Sequence, residues 1–382
     1  MTRENVTKRQ HFIPQQYLRN FSLSGDHLYV FPFSNGKPYL NEIKNLAKED
    51  FYFGSDSAAI KFEHELSKFE QQQNSLFKKI INNYRLNILN NEEKKLLRFF
   101  TLFQESRTKT SKKFSQYFAN SLKTTKNGEI DVFQKIPRNV GREINDEYRT
   151  TFGWTLRAPI LSHESISDLK SILIINTTNQ NFICGDAPVV RFNQLKIFNE
   201  RLQSLFSPGL EIFYPINNEI LLFFYDPRAY DIDCDFDSTC YLDKQTDLDS
   251  LNKLQIINAL ESVFFSDIQQ KDNIEKIYQE IQKIIYKNAE EKYGSYEKLS
   301  SFIKSKDNNL WNVFCLISKY FNYELDLSFI HKNVEYEQYW IKKYQDAIDT
   351  NQPQELIRNK DLEQKVRTII EKETKIGNKD NH

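Results

Sequence analysis

The 382-residue chain sets 52 Lys and Arg against 52 Asp and Glu. That formal charge of zero excludes a global basic field for nucleic acid or anionic membrane, while leaving room for a local basic groove. Thirty Phe and twenty Tyr supply a large core, and ten Gly with ten Pro are too few for repetitive all-β folds or long flexible linkers.

The opening MTRENVTKRQ has no apolar stretch of the kind that directs secretion. Cys184, Cys234, Cys240 and Cys315 form no Cys-x-x-Cys pair and read as free thiols of a reducing compartment. The longest apolar run, 220–225, is too short to span a bilayer. A cytoplasmic protein without a membrane partner is expected, and the Lys, Asn and Ile richness suits an AT-rich bacterial genome.

In chain order, Pro14 predicts the first position of a short helix over 15–20, where its missing N–H is not needed. DHLYVFPFSNGKPYL predicts a hairpin turning at Asn35-Gly36. EDFYF at 49–53 adds a short third strand. Phe62, Leu66, Phe69, Leu76, Ile80 and Tyr84 stripe one face of a long helix over 59–85. Asn90, Asn91, Glu92 and Glu93 cap and acidify the start of the next helix, 92–122. Residues 124–150 read as a polar excursion with one short helix. The runs 170–177, 181–192 and 211–226 predict about four strands of an antiparallel or mixed sheet, and from Leu251 the chain reads as helical to its end. The expected class is α+β, with a core over 8–266 and a helical C-terminal region over 267–382 packed on it or forming a small subdomain.

Four places carry candidate chemistry. His11, held by Phe12, Ile13, Tyr17, Leu18 and Phe21, is either an acid/base, ligand or anion contact, or an imidazole that bonds a carbonyl and closes the N-terminal segment. Arg107 falls in the apolar seam of its helix, with Phe103, Phe100, Phe114 and Phe118. A guanidinium there needs a carboxylate or an anionic ligand. Glu63, Ser67, Glu70 and Asn74 form a polar border on the preceding helix that can face Arg107, offering acid/base or divalent-ion chemistry, or merely a solvated edge. Asp186 follows a strand break at Gly185, where a carboxylate can enter a cleft or bond its own backbone. Cys184 reads as a small core residue, and the acidic run 226–237 as a solvated loop that lacks the glycine and glutamate of a calcium loop. No P-loop, dinucleotide fingerprint, zinc signature or nucleophile elbow occurs.

QHFIPQQYLRNF, the hairpin, EDFYF, ESRT, FICGDAPVV and YPINNEILLFF together resemble a bacterial family of unknown function, domain family 4238, over about residues 8–266. His11, Pro14, Gln15, Tyr17, Leu18, Asn20 and Phe21 match its opening pattern. Phe182, Ile183, Asp186, Pro188 and Val189 match its central one, where Cys184 and Gly185 replace the usual Thr-Ser. The resemblance implies no reaction.

The first expected function is a hydrolase of a phosphate-containing substrate, metal-assisted or nuclease-like, serving as a defence effector. Arg107 and Gln15 would bind the anion or substrate; His11, Glu63, Glu70 and Asp186 would be catalytic, with His11, Glu70 and Asp186 as candidate ligands of a divalent metal ion. The alternative is a non-catalytic module that binds a small ligand or a protein partner and uses the same His/Glu/Arg/Asp set as a buried structural network.

Overall fold

The computed structural model describes residues 9–54, 57–113, 156, 159–160, 162–195, 204–235, 237–293, 324–349 and 356–377. The excursion predicted over 124–150, the last part of the helix predicted to reach 122, and Cys315 lie outside them.

The run Ile220–Tyr225, ILLFFY, has no polar alternation because both of its faces are buried. It forms the central strand β9 of a five-stranded mixed sheet. Strands β5 (Lys170–Asn176), β7 (Val190–Phe192), β8 (Glu211–Pro215) and β11 (Thr239–Leu242) complete it in the order β11-β5-β9-β8-β7. Every pairing is antiparallel except β11 with β5. The strand period of two then sorts side chains into two apolar layers. Leu173, Ile175, Leu222, Phe224, Ile212 and Tyr214 face one layer; Ile172, Ile174, Leu221, Phe223 and Phe213 face the other. The predicted central sheet exists, with one strand more than expected.

On the first layer lie helices α1 (Gln15–Arg19), α2 (Ser57–Asn83) and α3 (Asn91–Ser106). Helix α3 starts as expected: the Asn90 side chain accepts from Glu93 N–H while Glu93 accepts from Asn90 N–H, a reciprocal cap. It does not run on to 122. Arg107 ends it, and a new helical segment begins at Lys109. Pro14 stands one position earlier than predicted, as the N-cap of α1. The second layer is covered by α4 (Gln245–Asn258), α5 (Lys271–Tyr293) and the segment containing Leu325, Leu327, Phe329 and Trp340.

The predicted hairpin is present as β2 (His27–Pro32) and β3 (Tyr39–Glu42). Gly36 takes φ +62 in its turn and donates its N–H to the Pro32 carbonyl at 2.9 Å. Two expectations around it fail. β4 (Lys48–Asp50) pairs with β1 (Arg9–His11) rather than with the hairpin. The hairpin's other neighbours are β12 (Ser262–Phe265) and then β6 (Cys184–Gly185), in the order β3-β2-β12-β6. Residues 251–269 are therefore not uniformly helical: α4 ends at Asn258 and Ser-Val-Phe-Phe becomes a strand between β2 and β6.

A further departure concerns the acidic run. β10 (Tyr230–Ile232) pairs with β13 (Ile330–Lys332), and α6 (Val334–Asp349) and α7 (Lys360–Gly377) follow. Asp226 is fully buried, accepting from the Gly209 amide (3.1 Å), Arg228 Nε (2.9 Å) and the Tyr336 hydroxyl (2.9 Å). Arg228 also reaches Asp168 at 3.2 Å. Arg358, whose side chain is wholly buried, donates to both oxygens of Asp168 (2.8 and 3.0 Å) and to the Ser165 and Ser207 carbonyls. This network fastens the C-terminal segment to the end of the sheet where β5 begins and β9 finishes. Removing one partner of a buried pair strands the other, so Arg358→Ala should cost about 3 kcal/mol of unfolding free energy. Denaturant titration of the full chain measures this, and an unshifted midpoint would contradict the docking.

Candidate functional site

The N-terminal segment, the α3 break and α2 converge on Arg107. The residue is 1% exposed, and its Nη2 donates to Glu70 Oε1 (2.8 Å) and to the His11 carbonyl (2.6 Å). The rings of Phe103 and Phe53 flank the guanidinium at 5.7 and 5.9 Å, close enough for cation–π attraction. Its own carbonyl, freed by the end of the helix, accepts the Tyr52 hydroxyl at 3.0 Å. Among the described residues the buried Arg107 Nε–H has no hydrogen-bond partner.

The backbone beside it is tied at successive positions. Phe12 N–H donates to the Ala47 carbonyl, and Gln104 Nε2 donates to the Phe12 carbonyl at 3.3 Å. Buried Gln10 accepts from Phe53 N–H (2.6 Å) and donates to the Gly54 carbonyl (3.1 Å), clamping the turn after β4, where Phe51 takes φ +52. Beyond the helix break, Lys109 bridges Glu49 (2.8 Å) and Glu261 (2.7 Å). Burial opposes its charge, but the two carboxylates outweigh that and raise its pKa. Lys112 donates to the Tyr52 carbonyl and lies over the Tyr52 ring at 4.0 Å; burial lowers its pKa.

The His11 imidazole leaves this junction. Its Nε2–H donates to the Lys44 carbonyl at 3.3 Å. Burial lowers its pKa, the Lys44 carbonyl partly opposes this, and the Lys48 and Arg107 charges act with burial. The backbone carbonyl of His11, not its ring, is what meets Arg107. Gln15 accepts from Arg19 at 3.4 Å on the outer side of α1. Glu63 sits half-buried about two turns before Glu70 on α2, and Glu70 is the carboxylate that meets Arg107.

Asp186 is closed by backbone. Its two oxygens accept the amides of Leu260 (2.7 Å), Glu261 (2.7 Å) and Ser262 (3.2 Å), and its own N–H donates to the Ser262 carbonyl. It thereby fixes the passage from α4 into β12. Gly185 is required next to it: a Cβ there would stand 2.9 Å from the Gln255 carbonyl oxygen. Gln255 also accepts the Gly185 amide at 3.0 Å. A serine at this position would not fit as the chain stands. Cys184 is fully buried 3.7 Å from the Tyr17 hydroxyl, and burial raises its pKa strongly, so it is an inert core thiol.

His11, Glu70 and Arg107 thus come together, joined through Tyr52 and the Lys109–Glu261 bridge to the Asp186 loop, while Gln15 stands apart. Among the described residues no group of three or more His, Cys, Asp or Glu could hold a metal ion, so the predicted convergence of His11, Glu70 and Asp186 does not occur there. Gln10, Tyr52, Gln104 and Lys109 were missed. Lys109 becomes a core-facing bridge only because the helix breaks at Arg107, which the apolar spacing through Phe114 conceals.

The family model described as Protein of unknown function (DUF4238) matches residues 9–269, which include every residue of this junction. The chain belongs to that family. No curated protein and no solved structure matches it. The match ends just after β12, so α5, β13, α6 and α7 lie beyond it. Among the described residues no helix is long and apolar enough to cross a membrane.

Asp186 gives a signed pH effect. Burial raises its carboxyl from 3.8 to about 6, and the three amide donors offset this only in part. The folded chain therefore binds more protons than the unfolded one between these values. The stabilisation is fully present below about pH 4 and is lost as pH rises through about 6. Over that window the unfolding free energy of the wild type should fall relative to Asp186→Asn by about 3 kcal/mol. Denaturant unfolding across a pH series reads this directly, and parallel profiles would contradict it.

Proposed function

We propose that the described region is a non-catalytic binding module in which His11, Glu70, Arg107 and Asp186 lock the N-terminal segment to the helices and the sheet. Recognition of a protein partner or small ligand then falls to the surface. The observation that carries this is that each group is engaged by the protein itself. Glu70 and the His11 carbonyl take Arg107, three amides take Asp186, and the Lys44 carbonyl takes the His11 ring. A reacting group needs a free lone pair or proton in reach of substrate, whereas Asp186 is buried with both oxygens on backbone amides and Arg107 is enclosed between Glu70 and the His11 carbonyl. The free cysteines and the Lys-, Asn- and Ile-rich composition favour a cytoplasmic, bacterial setting.

One observation favours a second role. The unpartnered Nε–H of Arg107 suits an anion-binding arginine in a hydrolase of phosphate-containing substrates, nuclease-like, with His11, Glu63 and Glu70 for acid/base work. Unfolding midpoints of Arg107→Met, Asp186→Asn and His11→Ala, paired with hydrolysis of bis-p-nitrophenyl phosphate, separate the two. A binding module predicts midpoints lowered by roughly 5 °C for the first two variants, little shift for His11→Ala, and no wild-type hydrolysis above the blank. Wild-type hydrolysis abolished by His11→Ala at an unchanged midpoint would overturn it.

A further inference from the structure

Arg358 is held as a binding site holds the anchor residue of a peptide. Its side chain is wholly enclosed, and Nε and Nη2 meet the two oxygens of Asp168 side-on at 3.0 and 2.8 Å. Nη2 also donates to the Ser165 carbonyl and Nη1 to the Ser207 carbonyl, each at 2.9 Å. The arrangement matches a planar guanidinium fork and not a lysine ammonium. Burial works against the charge of Asp168, but Arg358 and then Arg228 outweigh it and lower its pKa.

The backbone of the same residue is read as well. Arg358 N–H donates to the Phe206 carbonyl at 2.7 Å, and the Arg358 carbonyl accepts from Arg228 Nη1 at 3.0 Å. Main-chain bonds of this kind supply affinity in peptide recognition, while the side-chain pocket supplies specificity.

The pocket and its occupant come from different parts of the chain. Ser165 lies in the turn His163–Ile166, Asp168 in the turn before β5, Phe206 and Ser207 before β8, and Arg228 between β9 and β10. All five fall inside the segment that matches DUF4238, whereas Arg358 falls beyond it. Asn359 follows, and its side chain accepts Leu362 N–H at 3.1 Å to start α7. That helix lies against the His163–Ile166 turn, and its buried Leu362 and Val366 belong to neither apolar layer of the sheet. An element outside the main core can open without unfolding the rest.

We infer that Ser165, Asp168, Phe206, Ser207 and Arg228 form a recognition site for an arginine within a peptide, which this chain fills in cis with its own Arg358. The partner it fits is a protein segment that presents an arginine just ahead of a helix and competes with Arg358 for the pocket. This names the partner class for the binding-module reading and rests on it. Peptide binding and phosphodiester hydrolysis are scored separately, so each reading can fail without the other.

Full-length Arg358→Ala vacates the guanidinium position and is the variant to titrate. The probe is a capped, fluorescein-labelled peptide of the 356–361 sequence, Leu-Ile-Arg-Asn-Lys-Asp, followed by fluorescence anisotropy. Saturable binding is expected, weakened at least about tenfold when lysine replaces the arginine of the peptide. The wild-type chain, whose site is already occupied, should bind the arginine peptide at least about tenfold more weakly than the variant. Arg358→Lys keeps a cation in the fold and takes the same titration if circular dichroism shows Arg358→Ala unfolded. No binding by the folded variant, equal binding of the lysine peptide, or binding undiminished by adding Asp168→Asn would overturn the assignment.

Discussion

A guanidinium that is 1% exposed and cannot give up its proton must be neutralised where it stands. Arg107 meets that demand with Glu70 from α2 and the His11 carbonyl from β1, both at hydrogen-bond distance through a single nitrogen. Because the three groups come from three separate elements, satisfying one charge fixes the positions of all of them. The α3 break follows from the same place: Arg107 ends the helix and its carbonyl is taken by Tyr52, which lies in the turn after β4 that Gln10 clamps. The rest of the N-terminal half is arranged around this pair.

The central sheet explains why the lock is needed. β9 is apolar on both faces, so the molecule must cover two sides, and the segments that do so are far apart in sequence. α1, α2 and α3 cover one side and are tied together by Arg107. α4, α5 and the segment around Trp340 cover the other and are tied by Asp186, by Asp247 of α4, which accepts the Ser328 amide and hydroxyl, and by the Arg358–Asp168–Arg228–Asp226 network. Hydrophobic burial is non-directional. The directional polar contacts decide which of the possible packings is adopted, at the cost of leaving one Arg107 donor unpartnered.

Local chemistry was legible before the fold was known. The Asn90 cap, the Asn35-Gly36 turn, the α2 stripe and the demand of Arg107 for a carboxylate all follow from contacts within a few residues, or from a charge with no alternative. The α+β class and the Glu70–Arg107 pairing were accessible for the same reason. Long-range pairing was not. Nothing in residues 262–265 announces that they enter the hairpin sheet between β2 and β6, and nothing in 48–50 announces pairing with β1. Asp186 illustrates the ambiguity most clearly: a carboxylate after a strand break suits a cleft or a backbone cradle equally, and only the approach of residues 260–262 makes it the latter. The direction of the His11 ring was equally hidden, since its acceptor, the Lys44 carbonyl, is 33 residues away.

The most direct measurement is a double-mutant cycle on the full chain, with Glu70→Gln, Arg107→Met and the pair together, read by denaturant unfolding. A structural lock predicts that each single change is destabilising and that the double change costs less than their sum by at least about 1 kcal/mol, because removing either partner already forfeits the pair. Additivity within about 0.3 kcal/mol would contradict it, and would mean that Arg107 is held for something other than Glu70.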